Sequence, residues 1–223
     1  MLCNSIKYAE KVEESKQVGR VKNLLANQAT EFIPTYYAVL YYGKSYEGKL
    51  LKPSEYRKRW NREEVLKTHN FISKKLRDCF GAVHFQWFLN RHSQYEDNEG
   101  NCKKGSFHSD LYIGEISNAA IEQPSNALLT LMFSAHQRGY SINIEEIGID
   151  QAKILLLEMC IRQAKWVGVH KNSLFIEEVP IEEFHQTFHY GMKDICEMDD
   201  FNSIVDWKNS SFYRPTSTTN GEN

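Results

Sequence analysis

The chain has 223 residues, a formal net charge of −2 and 41% apolar residues, enough to build one domain with a sizeable core. No apolar run approaches the roughly 20 residues that a membrane helix needs, and the polar N-terminus lacks the apolar stretch of a secretory signal. The five cysteines are scattered and include no Cys-x-x-Cys pair, so we expect reduced thiols, a cytoplasmic location and no membrane association.

The charges are distributed unevenly along the chain. Lys49–Arg77 holds ten basic and three acidic side chains, whereas the stretch from Glu177 to the end holds ten acidic and three basic ones. A basic stretch in a near-neutral chain is typical of a face for an anionic partner such as nucleic acid, but a solvated helix face explains it equally well. The candidate DNA-contacting residues in this stretch are Arg57, Lys58, Arg59, Arg62, Lys74 and Lys75.

Taken in order, the chain is predicted to have three parts. Residues 1–33 are expected to form a charged helical arm, residues 34–200 the folded domain, and residues 201–223 a flexible tail rich in Asn, Ser and Thr. The domain opens with Thr35–Tyr42, whose aromatic and β-branched residues predict a strand that ends at Gly43.

A helical segment and two strands follow. Ser54–Phe80 predicts one or two helices, with Ser54 or Asn61 as the N-cap. Ala82–Asn90 predicts a second strand, and a polar loop joins it to a third over Gly105–Gly114. Because a hairpin loop reverses the chain, we expect these two strands to be antiparallel neighbours.

The remaining segments complete an α+β pattern. Helices are predicted over Asn126–Arg138, Asp150–Lys165 and Ile181–Cys196, short strands over Trp166–His170 and Ser173–Val179, and a short strand or a loop over Tyr140–Ile147. Together these elements predict a central antiparallel sheet of about five strands, with helices mainly on one face.

The predicted strand Gly105–Gly114 carries a candidate metal site. Since side chains alternate between the two faces of a strand, His108 and Asp110 share one face. An imidazole and a carboxylate two residues apart can converge on one hard or borderline cation. Asn90 and Gln86 on the neighbouring strand could lie near them, although the register is not readable from sequence. The alternative is an ordinary half-buried strand with a polar outer face.

The last predicted helix carries a candidate nucleophile. Tyr190 lies about 200° around the helix axis from Phe188 and Met192, and therefore off the apolar stripe, while Lys193 lies one turn away. A phenol beside a cation is a plausible nucleophile, because the cation favours the phenolate. The alternative is an exposed tyrosine beside a lysine on a solvated helix face.

These segments, in this order, resemble the HUH-superfamily replication initiators and relaxases, especially the rolling-circle Rep proteins of small plasmids, phages and single-stranded DNA viruses. Thr35–Tyr42 is similar to their first strand motif. Asn90-Arg91-His92 followed by Gly105–Ile113 is similar to their Glu-x-His segment and Gly-x-x-His-x-His strand, and Tyr190–Lys193 to their Tyr-x-x-Lys motif. The resemblance covers roughly residues 34–197 and is strongest in the hairpin.

Two positions depart from the family pattern. Asp110 stands where the family has the second histidine of its His-x-His pair, and Asn90 stands where it has the acidic ligand before the loop. The two changes compensate, because each set contains one carboxylate together with imidazole and other donors. Such donors still suit Mg²⁺ or Mn²⁺.

The resemblance implies an enzyme that nicks and joins single-stranded DNA to initiate rolling-circle replication. Tyr190 would form a 5′-phosphotyrosine link with assistance from Lys193, and a Mg²⁺ or Mn²⁺ ion at His108, Asp110 and Asn90 would polarise the phosphate. The implied partners are single-stranded or hairpin DNA at a replication origin and a host polymerase. A host helicase is also expected, since no Walker-type run is present.

Two other functions are compatible with the same residues. The first is a non-catalytic nucleic-acid-binding regulatory protein on the same fold, which the altered His-x-Asp motif favours. The second is an unrelated metal-dependent hydrolase or structural protein in which the motif matches are accidental.

Overall fold

A computed structural model of the chain describes residues 16–20, 22–23, 34–42, 45–46, 49–50, 61–91, 95–96, 102–103, 107–137, 139–140, 142–164, 174–180, 182–183, 188, 190–193, 195 and 203–211. The protein is α+β, with an antiparallel sheet and helices, as the sequence predicts. The main sheet has four strands among the described residues, and the expected fifth is not one of them.

The bounds of the elements are as follows. The strands are β1 (Pro34–Tyr41), β2 (Ser45–Tyr46), β3 (Lys49–Leu50), β4 (Phe85–Arg91), β5 (Tyr95–Glu96), β6 (Cys102–Lys103), β7 (Phe107–Gly114) and β8 (Leu174–Glu178). The helices are α1 (Arg62–Phe80), α2 (Asn118–Glu122), α3 (Asn126–His136), α4 (Ile144–Ile147) and α5 (Ile149–Arg162). In the described ranges no helix is long and apolar enough to cross a membrane.

The main sheet has the order β4-β7-β1-β8, and each neighbouring pair of strands is antiparallel. In the chain, α1 lies between β1 and β4, and α2 to α5 lie between β7 and β8. This is the split β-α-β arrangement, in which the first and third long strands occupy the centre of the sheet. The predicted antiparallel pairing of β4 with β7 is confirmed, and β7, which carries the candidate metal site, is a central strand.

One face of the sheet packs against α1 and α5. The alternation predicted for β4 and β7 is confirmed, because Trp87 and Leu111 face this side together with residues of α1 and α5. We call this the helix-side core; its fully buried members include Ala38, Leu40, Ile72, Leu76, Phe85, Trp87, Leu111, Ile113, Leu156 and Leu157. Burial of these apolar side chains stabilises the fold by about 25 cal/mol for each Å² removed from water.

The opposite face of the sheet packs against residues from both ends of the chain. We call this group the C-terminal cluster; its buried members are Val18, Tyr37, Val39, Phe88, Tyr112, Val179, Phe188, Met192, Ile195, Ile204 and Val205. Val18 belongs to the helical residues 16–20 of the predicted arm. Because both faces are covered, the central strands β1 and β7 are buried along most of their length.

Residues 203–211, which the sequence assigns to a flexible tail, lie along the edge of β4. Val205 forms an antiparallel bridge with Phe88, and the backbone N–H of Ser211 donates to the Phe85 carbonyl at 2.7 Å. The physical reason is that β4 is an edge strand, and its unpaired backbone groups accept a partner. This part of the predicted tail therefore belongs to the folded body.

Local signals account for several boundaries. α1 begins after Asn61, whose side chain accepts a hydrogen bond from the Glu64 backbone at 3.0 Å. It ends at Gly81, whose φ of +79° is a conformation that other residues rarely adopt. Residues 144–147 form α4 rather than a strand or loop. The strand predicted over Trp166–His170 lies outside the described residues, and in the predicted helix Ile181–Cys196 the residues described as helical are 188, 190 and 191.

Candidate functional site

Three predicted site residues meet on the sheet face opposite α1 and α5. His108 and Asp110 lie on β7, and Asn90 on β4 is the register partner of His108. All three are buried, with exposures of 4%, 0% and 1%. His108 Nε2 lies 3.6 Å from Asp110 Oδ2. We call these residues the polar cluster; the structure brings them together, and their role as metal ligands stays a prediction.

The Asp110 carboxylate is held by hydrogen bonds on both oxygens. Tyr37 Oη donates to Oδ1 at 2.6 Å, and Asn90 Nδ2 donates to Oδ2. Burial and then the Asp110 charge raise the pKa of Tyr37, so this phenol stays protonated and remains a donor. Sequence reasoning did not single out Tyr37 for this role, because its partner is 73 positions away and only the β1–β7 register brings them together.

The donor atoms of the polar cluster suit a hard or borderline cation. They comprise an imidazole nitrogen, a carboxylate oxygen and the amide oxygen of Asn90. Asn90 Oδ1 is buried and has no hydrogen-bond partner among the described residues, so it could accept a cation. The set is small, because no group of three His, Cys, Asp or Glu side chains comes together in the described ranges. Water or a phosphate oxygen would have to supply the other ligands.

The segment Tyr190–Lys193 lies directly on the polar cluster. Gly191 O accepts a hydrogen bond from Asn90 Nδ2 at 3.0 Å, across 101 positions of sequence. A Cβ atom on Gly191 would lie 2.9 Å from side-chain atoms of Phe88 and Tyr112, closer than real Cβ atoms approach. The absence of a side chain on Gly191 therefore allows this turn to approach the sheet. The two segments that the sequence singles out form one site.

The Tyr190 ring is accessible from solvent, with 55% of the residue exposed. Lys193 Nζ lies 3.6 Å from the ring centroid, a close cation–π contact. The predicted cation is therefore beside the predicted nucleophile. Tyr112 differs, because burial and then the Asp110 charge raise its pKa well above the ordinary value. Of these two tyrosines, Tyr190 is the one that a substrate can reach.

The three predicted DNA-contacting residues that the structure describes, Arg62, Lys74 and Lys75, are not part of this site. Lys74 and Lys75 belong to α1, whose buried side packs on the opposite face of the sheet from the polar cluster. Arg62 Nε, at the start of the same helix, donates to the Ser203 carbonyl at 3.3 Å. The other three predicted DNA-contacting residues, Arg57, Lys58 and Arg59, lie outside the described residues. A DNA strand that contacts Lys74 and Lys75 would thus lie on the other side of the sheet from Tyr190.

A second buried polar network lies on the helix side of β7. His69 Nδ1 is 2.8 Å from Asp206 Oδ2, and His69 Nε2 is 2.7 Å from Ser109 Oγ. This is the connectivity of a Ser-His-Asp catalytic relay. However, His69 and Ser109 are both 0% exposed, and Trp87 stacks on the His69 ring with centroids 4.1 Å apart. Because no substrate reaches Ser109 Oγ, the network acts as a clamp that joins α1, β7 and residues 203–211.

We expect this clamp to weaken as the pH falls. Burial lowers the pKa of His69. Below about pH 6.5 this histidine is protonated in the unfolded chain, whereas in the folded protein it resists protonation. The free energy of unfolding therefore decreases as the pH falls below that value. Burial by itself raises the pKa of Asp206, but hydrogen bonds from His69 and Asn209 lower it overall. The stability that the ionised Asp206 carboxylate contributes is fully present above about pH 3.9. It is lost as the pH falls through the pKa of this group in the folded protein.

Urea unfolding between about pH 7 and about pH 4 measures this effect, since one such group changes stability by at most about 1.4 kcal/mol per pH unit. The control is His69→Gln, which cannot titrate and should show a flatter dependence between about pH 7 and about pH 5. A wild-type slope in His69→Gln would show that other groups cause the acid sensitivity.

In comparisons with known proteins, no family model, no curated protein and no solved structure matches the chain. Function must therefore be inferred from the geometry of the polar cluster and of the turn that carries Tyr190.

Proposed function

We propose that the protein is a metal-dependent tyrosine endonuclease and strand transferase of the HUH type, acting on single-stranded DNA. The observation that supports the proposal is the hydrogen bond from Asn90 Nδ2 to Gly191 O. It connects the hairpin of the His-x-Asp strand to the Tyr-x-x-Lys segment. Two short motifs that matched by accident would have no reason to lie in contact.

The residues have separate roles in the proposed reaction. Tyr190 Oη attacks the phosphorus of a phosphodiester, a 5′-phosphotyrosine link forms, and the P–O3′ bond breaks to release a 3′-hydroxyl. The phenol proton leaves to solvent, the departing O3′ takes up a proton from solvent, and the Lys193 ammonium would hold a phosphate oxygen. His108, Asp110 and Asn90 would hold a Mg²⁺ or Mn²⁺ ion. When bound, the ion supplies positive charge that stabilises the phosphate oxygens.

The wider proposal is an initiator of rolling-circle replication for a plasmid, phage or similar element in the cytoplasm. The released 3′-hydroxyl primes synthesis by a host polymerase, and a host helicase opens the duplex. The proposal includes a sheet of about five strands with helices mainly on one face. Residues 203–211 beside β4 occupy the edge where a fifth strand would lie.

A non-catalytic nucleic-acid-binding regulatory protein on the same fold is the second candidate. Tyr37 and Asn90 already occupy both oxygens of Asp110 with hydrogen bonds. The described residues also hold no group of three His, Cys, Asp or Glu side chains. Both observations favour a site that no longer retains a cation. Such a protein would bind single-stranded DNA without forming a covalent link.

A covalent-adduct assay tests the proposal. With Mn²⁺ and a pool of labelled single-stranded and hairpin oligonucleotides, we expect a protein–DNA band that survives denaturing electrophoresis. We expect EDTA to abolish the band, because the phosphate is not activated without the ion. Blunt duplex DNA of the same composition is the control and should give no band. DNA binding without a band would support the regulatory protein, and no binding would contradict both candidates.

A further inference from the structure

The side chain of Asn90 connects two parts of the site through one nitrogen atom. Asn90 Nδ2 donates to Asp110 Oδ2 on β7 and to Gly191 O in the Tyr190–Lys193 segment. Asn90 is buried, so bulk water does not compete for these hydrogen bonds. A single amide group therefore holds both the carboxylate of the polar cluster and the turn that carries Tyr190.

The turn is held on the sheet by further contacts of Gly191. The backbone of Gly191 forms a hydrogen bond with Tyr112. This bond lowers the pKa of Tyr112 and so acts against burial, which raises it. Its Cα is so close to Phe88 and Tyr112 that an added Cβ would lie 2.9 Å from both side chains. Phe188, which precedes the turn, and Met192, which lies within it, are both buried in the C-terminal cluster. Small changes at Gly191 or Asn90 should therefore move Tyr190 relative to Asp110.

We propose that Asn90 is a positioning residue that holds the Tyr190 turn in register with the Asp110 carboxylate; this inference rests on the proposed nuclease function. An aspartate at position 90 could still ligate a cation, but an ionised carboxylate donates no hydrogen bond. It would also face the negatively charged Asp110 carboxylate and the Gly191 carbonyl oxygen, which carries a partial negative charge. Position 90 therefore requires a hydrogen-bond donor. This requirement accounts for the amide of Asn90 at a position where the family that the sequence resembles has an acidic residue.

The variant Asn90→Asp separates ligation from positioning. If Asn90 acts as a positioning residue, the variant should bind Mn²⁺ at least as tightly as wild type, since it adds a charged oxygen donor. Backbone amides of the peptide 188–195 should nevertheless exchange with deuterium about tenfold faster or more, because the turn loses a buried hydrogen bond. Formation of the covalent band should slow by about tenfold or more, because Tyr190 is displaced.

Two further variants complete the experiment. Asn70→Asp makes the same chemical change on the exposed side of α1 and should leave exchange, Mn²⁺ affinity and the covalent band unchanged. Gly191→Ala moves the turn without altering a ligand, so it should accelerate exchange and slow the covalent band while Mn²⁺ affinity stays at the wild-type value. If Asn90→Asp does not fold, Asn90→Ala should show the same rise in exchange.

Wild-type exchange over residues 188–195 in the Asn90 variants would overturn the positioning role. Exchange that rises while the covalent band forms at the wild-type rate would also overturn it, because the position of Tyr190 would then not matter. If wild-type protein forms no covalent band, the proposed nuclease function fails. The exchange measurement would still decide whether Asn90 holds the turn, so the two failures are distinguishable.

Discussion

Replacement of Tyr190 by phenylalanine is expected to abolish the covalent protein–DNA band. The change removes a single oxygen atom, and that oxygen is the atom proposed to attack the phosphate. We expect the rate of band formation to fall by about 10³-fold or more, as for the loss of other enzymatic nucleophiles. The ring itself remains, so DNA affinity in a gel-shift experiment should stay close to the wild-type value. Quantification of the band on denaturing gels with Mn²⁺ measures the effect.

Two other tyrosines provide matched controls. Tyr140 is exposed but lines an apolar surface groove with Phe133 and His136, so Tyr140→Phe should form the band at the wild-type rate. Tyr112 lies beside the turn and is buried, and Tyr112→Phe should also retain the band, although the loss of its contact with Gly191 should slow the reaction. A band that persists in Tyr190→Phe and disappears in either control would assign the nucleophile to that other tyrosine.

Replacement of Asp206 by alanine is expected to destabilise the protein by about 3 kcal/mol. The Asp206 carboxylate accepts hydrogen bonds from the ring of His69 and from Asn209, both of which are buried. Without it, two buried donors lose their acceptor, and residues 203–211 lose their carboxylate–imidazole link to α1. The free energy of unfolding from urea titration at about pH 7 measures the change.

The control for Asp206→Ala lies two residues away. Lys208 is exposed in the same segment, so Lys208→Ala should change the free energy of unfolding by less than about 0.5 kcal/mol. If Asp206→Ala also stays within that range, the clamp contributes little. Residues 203–211 would then be held by the burial of Ile204 and Val205 and by backbone hydrogen bonds to β4.

The sequence by itself determined which residues share a strand face. His108 and Asp110 were predicted on the side of β7 opposite Leu111, and Trp87 on the side of β4 opposite Asn90, and the structure has them there. The reason is that the two-residue period of a strand is a local property of the backbone. The antiparallel pairing of β4 and β7 was equally predictable, because a polar hairpin loop joins them in the chain.

Only the tertiary structure decided how distant segments meet. The contact between Asn90 and Gly191 spans 101 residues, and the His69–Asp206 contact spans 137. No local pattern encodes such contacts, because they depend on strand order, register and the packing of covering segments. For the same reason the sequence treated residues 203–211 as a tail and could not show on which face of the sheet the predicted DNA-contacting residue Lys74 lies relative to Tyr190. The fold places α1 on one face of the sheet and the Tyr190 turn on the other, since each covers a different apolar face.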